Sequence, residues 1–308
     1  MEWKKRGLII EPSKKYWWMQ SHAMLPTPIR VKNNVYRVYF SGRDKKNRSI
    51  ISYGEVEITN HNIELLSYSN QPVLLPGERG TFDDNGVTPS CIIDVGEEKK
   101  FLYYIGWNSG TSTVRMSLVA GLAISEDNGN TFQRYSRAPI LQRTNREPFS
   151  ILTAPFLLKE DPTNLKMYYV SGEGWIHKDL PRYNIKIATS KDGITWNRNG
   201  YSCIEFKNEN ETALARPCVI KEEGLYKMWF SYKDPSIGYR VGYAESNDGY
   251  DWNRKDDKAG IDVSDNGWDS EMIEYSYVFD HLNYRYMLYN GNNYGLNGIG
   301  YATLENKI

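Results

Sequence analysis

A small set of side chains in this sequence has the types and spacing that acid–base chemistry needs. Glu211, Glu271 and Glu274 stand just ahead of apolar segments late in the chain, and Asp83 and Asp84 lie together in GTFDDNG. Protonating a leaving oxygen requires one carboxyl group held neutral and a second kept ionised. Glu274, Glu211, Asp84 and Glu271 are the candidates for those parts. The candidate binding groups are Arg216, Tyr275, His22, Arg43, Asp83, Trp107, Glu173, Trp175, Lys233 and Asn290. Such a mixture suits a sugar: carboxylates and Asn for hydroxyls, aromatic faces for ring C–H groups, Arg for an anionic substituent. Each residue also has a plainer account. Asp, Asn and Gly form turns, so Asp83 and Asp84 fit a solvated turn. Arg216 either pairs with Glu274 or Glu211 as structure or grips a ligand anion. A lone His such as His22 is more often a hydrogen-bonded structural residue. The four histidines, His22, His61, His177 and His281, show no metal spacing, so neither a metal nor another cofactor is expected.

These residues must be positioned by a repeated unit. Leu214 to Trp252 reads as four short strands: ARPCVI, LYKMWFSY, GYRVGYAES and the turn S-x-D-G-x-x-W. TAPFLLK, LKMYYVSGEG, YNIKIATS and SKDGITW repeat the pattern. So do TPSCIID, KKFLYYIGW, AGLAIS and SEDNGNTF. TPIRV, VYRVYFSGRD and SIISYGEVE make an earlier unit, and YSYVFD, YRYMLYNGNN and GIGYATL a last one. Pro28, Pro89, Pro155, Pro217 and Ser276 fall at equivalent places, roughly 60 residues apart. That interval accommodates four short strands and their turns, and is longer than a typical solenoid repeat. No long 3.6-residue period suggests helices between the strands. The expected fold is all-β: a five-bladed β-propeller of four-stranded antiparallel blades, one domain over residues 1–308. The blades fall roughly at 21–75, 83–142, 149–207, 211–265 and 271–304. The last unit lacks an outer strand, and the short apolar segment Lys5 to Ile10 is available to close the ring and remove an exposed edge. In this frame the candidate residues lie at the starts of innermost strands or at the ends of second strands, on one face of the axis.

Bulk properties narrow the function further. Thirty-eight basic residues balance 38 acidic ones, with no basic stripe, so nucleic acid is not an expected partner. The 24 Tyr and 9 Trp suit half-buried strands and can also stack on sugar rings. Cys91, Cys203 and Cys218 are too few and too odd for a disulfide framework and are expected in the core. No stretch reads as a signal peptide or a membrane span, so a cytoplasmic protein without a membrane partner is expected. Nothing in the sequence gives the oligomeric state. The turns Ser125-Asp127-Gly129, Ser190-Asp192-Gly193 and Ser246-Asp248-Gly249 are expected between outer strands, away from the axis.

The unit of x-P strand, aromatic strand ending in S-G, A-x-S strand and S-x-D-G-x-x-W turn resembles the five-bladed propeller glycosidases. These are glycoside hydrolase families 32, 43, 62, 68, 117 and 130 and their relatives. The resemblance runs from Trp17 to Leu304, and the first of the turns is similar to the Asp-box of sialidases. It implies a carbohydrate-active enzyme of glycosidase-like type, polysaccharide metabolism and a site on the axis. The family 43 acids are expected at three places where this chain has other residues: Thr27 precedes Pro28, Ala154 precedes Pro155, and Ala215 stands two before Pro217. The W-x-N-D-P-N, R-D-P and E-C signatures of family 32 are missing too. The resemblance therefore implies a non-standard acid/base set. A sugar-phosphate substrate with a phosphorylase- or transferase-like reaction, and a sugar-binding propeller without catalysis, stay open beside hydrolysis.

Overall fold

The computed structural model describes residues 1–304; the end of the expected domain, 305–308, lies outside the described residues. Aromatic and β-branched residues alternating with polar ones produce strands almost throughout. The first unit comprises β2 (Ser21–Lys32), β3 (Val35–Arg43), β4 (Ser49–Thr59) and β5 (Asn62–Tyr68). The second has β6 (Gly86–Asp94), β7 (Lys100–Ser109), β8 (Met116–Ser125) and the short β9 (Gln133–Arg134). The third has β10 (Ile151–Asp161), β11 (Asn164–His177) and β12 (Leu180–Ser190), with an outer segment bridged at Asn197 and Ser202. The fourth has β13 (Ala213–Glu222), β14 (Leu225–Asp234), β15 (Gly238–Ser246) and the short β16 (Asn253–Arg254). The last has β17 (Glu274–His281), β18 (Tyr284–Asn290) and β19 (Ile299–Leu304). The segment Lys5 to Ile10 falls in β1 (Trp3–Ile10), which pairs antiparallel with β19. Helical structure is confined to single turns at Asp256–Lys258 and Asn292–Gly295.

Each unit is an antiparallel meander, and tight turns set its register. Asn60 and His61 at the β4–β5 tip, and Glu223 and Gly224 at the β13–β14 tip, all have positive φ, which matches the twist of two-residue hairpins. The first strands β2, β6, β10, β13 and β17 pack against one another in that cyclic order, β17 returning to β2. One polar side chain per junction helps hold the order. Ser41 Oγ at the end of β3 donates to Val87 O of β6 at 3.0 Å. Ser231 Oγ in β14 accepts from Tyr275 N of β17 at 2.8 Å. Asn290 in β18 returns to β2, donating to Ala23 O and accepting from Leu25 N.

The S-x-D-G turns follow the third strands. In each, the serine hydroxyl bonds the aspartate carboxylate and accepts from the glycine N–H. Their glycine carbonyls then accept from a tyrosine of the preceding unit: Tyr39 to Gly129, Tyr103 to Gly193, Tyr168 to Gly249. The turns thus fasten one meander to the one before it. Cys91, Cys203 and Cys218 are free and buried. The Cys91 and Cys218 thiols accept backbone N–H groups of Leu157 and Val278 in the next units, and burial pushes both thiols up, Cys91 to about 11 and Cys218 to about 12.

Candidate functional site

The first strands are not regular. Their pairing slips near the aligned positions, between Met24 and Thr27, Pro89 and Cys91, Thr153 and Phe156, Ala215 and Cys218, and Glu274 and Tyr277. Leu25, Ala154, Arg216 and Tyr275 sit in these bulges with positive φ. Such a conformation is costly for residues other than glycine and is kept where surrounding structure demands it. The bulges free carbonyls from the ladder, and Arg216 gathers them. Its Nη2 donates to Pro26 O and Thr27 Oγ1 at 3.0 Å, and its Nη1 to Ser90 O and, at 3.0 Å, Ser90 Oγ. The guanidinium is fully buried and lies 5.6 Å from the Tyr277 ring centre. The partners expected from the sequence were Glu274, Glu211 or a ligand anion; the structure instead gives it carbonyls and hydroxyls of two other units. Arg216 is the plug that joins the first, second and fourth meanders.

Above this plug an apolar floor is made by Met24, Leu25, Ile105, Ile151, Ala154, Val170 and Ala215, with Trp175, Tyr183 and Tyr275 packed against it. Glu274 opens β17 opposite Asn290. It is 0% exposed, and neither carboxyl oxygen has a hydrogen-bond partner among the described residues. Burial pushes its carboxyl well above the usual carboxylate range, and Lys233 offsets only part of that. The group is therefore a neutral acid at neutral pH. Its surroundings are phenolic. Tyr183 and Tyr239 share a 2.5 Å hydroxyl bond, and Tyr239 lies 5.9 Å from the Tyr275 ring. Burial pushes the Tyr183 phenol up to about 12 and those of Tyr239 and Tyr275 well above their ordinary range. Lys233 stands over the Tyr239 ring at 5.3 Å and reaches Tyr294 Oη at 3.4 Å.

His22 lies across the same end of the axis. It has positive φ, its Nδ1 is 2.8 Å from Ser21 Oγ, and its neighbour Ala23 is bonded by Asn290, the partner of Glu274. Burial and the nearby Arg43 guanidinium lower its pKa to about 4, so the imidazole is neutral. Arg43, opposite Ser21, is within electrostatic reach of His22, Tyr275 and Arg115. The structure thus brings together Glu274, Tyr275, Lys233, His22, Arg43 and Trp175 from the sequence candidates, and adds Tyr183 and Tyr239.

The remaining candidates have structural partners. Glu211 accepts both guanidinium nitrogens of Arg254, at 2.7 and 2.6 Å. Asp83 accepts from Arg134 Nε at 2.8 Å and Tyr104 Oη at 2.9 Å. Two acids outside the candidate set complete the pattern: Glu147 binds Arg198 and Tyr169, and Asp269 binds Lys5 and Tyr289. Each such acid precedes a first strand, and each cation comes from the outermost strand or segment of the same unit. These buried ion pairs clamp the lead-in loop of four meanders to their outer edge. In the first unit Trp18 packs on Phe40 at the corresponding place. Gly121, where a Cβ would stand 2.3 Å from the Tyr104 ring, leaves that ring room in its clamp. The clamps carry a sequence signal that is easily missed: arginine two residues after the aromatic in FQR, WNR and WNR, at Arg134, Arg198 and Arg254. Asp84 holds its own loop, accepting from Gly80 N and Asn108 Nδ2. Glu173 pairs with Lys186 at 2.8 Å, Trp107 Nε1 donates to Ser49 Oγ, and Glu271 is exposed. Among the described residues, no group of three or more His, Cys, Asp and Glu could hold a metal ion, and no helix is long and apolar enough to cross a membrane.

The fold is shared with solved glycoside hydrolases. A structure described as a complex of BT0996 with RGII superposes with a TM-score of 0.75 at 21% identity, covering 99% of this chain and 92% of that one. One described as "Glycoside hydrolase" gives 0.73 at 22% identity, covering 97% and 91%. A thermostable family-43 glycoside hydrolase gives 0.63 at 15% identity, covering 92% and 88%. At these identities the likeness is one of fold: a glycosidase-like, nearly all-β architecture. No protein-family profile matches the chain. Its sequence is 40% identical over 308 residues to Uncharacterized protein MT1551 of Mycobacterium tuberculosis strain CDC 1551 / Oshkosh, covering 99% of this chain and all of that protein. Uncharacterized protein Rv1502 of strain H37Rv matches equally. The chain belongs to the family of these mycobacterial proteins.

Proposed function

We propose that this protein is a carbohydrate-active enzyme of glycosidase-like type built on a single-domain, five-bladed β-propeller. The cyclic packing of five first strands and the pairing of β1 with β19 support the blade count. The observation that carries the function is Glu274: a fully buried carboxyl group without a hydrogen-bond partner among the described residues, beside three tyrosines at the axial end of the first strands. A carboxylic acid kept neutral in an apolar pocket is the form a general acid needs to protonate a leaving sugar oxygen. Asp83 and Glu211, paired in their clamps, are poorly suited to that task. The neutral His22 imidazole supplies the complementary acceptor, taking the proton of an incoming water or hydroxyl. Trp175 and the tyrosines offer faces to the sugar ring. The substrate is a carbohydrate or sugar phosphate, and an incoming water, phosphate or sugar hydroxyl distinguishes hydrolysis from phosphorolysis or transfer.

The test is turnover on a panel of oligosaccharides and sugar phosphates, with wild type and Glu274→Gln compared on every substrate that reacts. The variant should lose at least about a hundredfold in turnover with the fold intact. Wild-type turnover in the variant would remove Glu274 from the chemistry. Pairing of the nominated carboxylates in ion-pair clamps is also what a sugar-binding propeller without catalysis would show; saturable binding of a sugar with no product would favour that second reading.

A further inference from the structure

The charges around the site are segregated although the whole chain is neutral. Arg43 stands at its edge with Nη1 on Asn47 Oδ1 at 3.1 Å, and its buried Nε has no partner among the described residues. Arg115, on the loop after β7, is exposed and within electrostatic reach of Arg43. That loop is joined to the next through Arg115 N and Lys178 O at 2.9 Å. Lys233 adds a third cation, within electrostatic reach of Glu274. The buried Glu274, being neutral, sets no negative charge against them. Outward from Arg43 the same character continues. Gln20 N bonds Arg43 O at 2.8 Å, and Gln20 is part of a groove of about 420 Å³ that also contains Lys14, Lys15, Trp17, Lys45 and Lys46. The one acid in its lining, Asp44, is turned to Arg48 at 2.9 Å. Trp17 is 50% exposed, an uncommon state for the largest apolar side chain. An aromatic face among ammonium groups is the combination that stacks on a sugar ring while neutralising its acidic substituents.

Taking the proposed carbohydrate site as its premise, we infer that the substrate is an anionic glycan. One acidic substituent meets Arg43 and Arg115 beside the reacting sugar, and the chain runs outward over Trp17 between Lys14, Lys15, Lys45 and Lys46. Carboxylate, sulfate and phosphate share the chemistry that these cations recognise.

The experiment measures binding to the full chain by calorimetry, using oligogalacturonates, their methyl-esterified counterparts, sulfated and phosphorylated oligosaccharides, and neutral oligoglucosides. Wild type is compared with Arg43→Gln and with the surface double variant Lys45→Ser/Lys46→Ser, which leaves the proposed acid and its surroundings untouched. At least one anionic series should bind, weaken as salt rises, and weaken about tenfold or more in Arg43→Gln and roughly three- to tenfold in the double variant, as expected for lost charge-assisted contacts. Should Arg43→Gln fail to fold, the double variant and the salt dependence decide alone. Esterified or neutral oligosaccharides binding as tightly as the acidic ones would overturn the inference and leave the carbohydrate reading standing. Binding of neither kind would overturn both. Salt-independent anion binding that is unchanged in the variants would also overturn the inference.

Discussion

Replacing Arg216 by Met keeps much of the side-chain volume but removes the guanidinium. Two carbonyls, Pro26 O and Ser90 O, and the hydroxyls of Thr27 and Ser90 then lose their donor on the axis. Leaving a buried acceptor unsatisfied costs about 1–3 kcal/mol. Relief of the buried charge, which already lowers the Arg216 pKa, offsets part of that loss. The expected net effect is a loss of about 3–5 kcal/mol, within the range for breaking one side of a buried charged network. At this chain length that corresponds to a fall in Tm of roughly 5–15 °C. Urea denaturation followed by tryptophan fluorescence reads it as a lower midpoint. Arg216→Lys should recover only a part, because an ammonium cannot span both sets of acceptors in the plane of a guanidinium. An unchanged midpoint in Arg216→Met, or a stable fold with lost ligand affinity alone, would refute the plug and restore the ligand-gripping role.

Other outcomes follow from the same structure. Glu274→Gln should stabilise the protein above the ordinary carboxylate pKa, because ionisation favours the unfolded chain there. The gain should grow by up to about 1.4 kcal/mol per pH unit as pH rises toward the elevated folded pKa, measured as ΔTm against pH. His22 has the opposite sign: with its folded pKa lowered to about 4 from 6.5, the stability it contributes is present above 6.5 and lost as pH falls toward 4, so His22→Asn should flatten that acid limb. In the fourth unit, Glu211→Gln or Arg254→Met should each cost about 3–5 kcal/mol, and the double variant clearly less than their sum, as a double-mutant cycle would show. Deleting the first ten residues opens the edge of β19 and should lower stability by several kcal/mol, shown by denaturant titration.

What the sequence made legible was whatever is written locally. Alternation, hairpin tips and the S-x-D-G turns act within a few residues, so the repeated meander could be read directly. Glu274 and Tyr275 were within reach because they immediately precede an aligned position. The partners of the other acids were not. Arg134 lies 51 residues from Asp83, Arg198 51 from Glu147 and Arg254 43 from Glu211, so only folding shows that these carboxylates are paired. Arg216 illustrates the same limit. Its position at the start of an inner strand was plain, but the bulges at Pro26 and Ser90 that capture it belong to other units. Tyr183 and Tyr239 escape notice because each looks like one of many strand aromatics until β12 and β15 bring their hydroxyls together.

The protonation state of Glu274 is the most direct point of test. Isotope labelling of glutamate side-chain carboxyls, with the Glu274 resonance assigned by its disappearance in Glu274→Gln, allows that state to be followed by NMR as pH is raised. The predicted result is a carboxyl that keeps its protonated shift through the region around 4.5, where an ordinary glutamate titrates, and stays protonated at neutral pH. A Glu274 resonance that titrates near 4.5 with the exposed glutamates would contradict it, and with it the assignment of this residue as the acid.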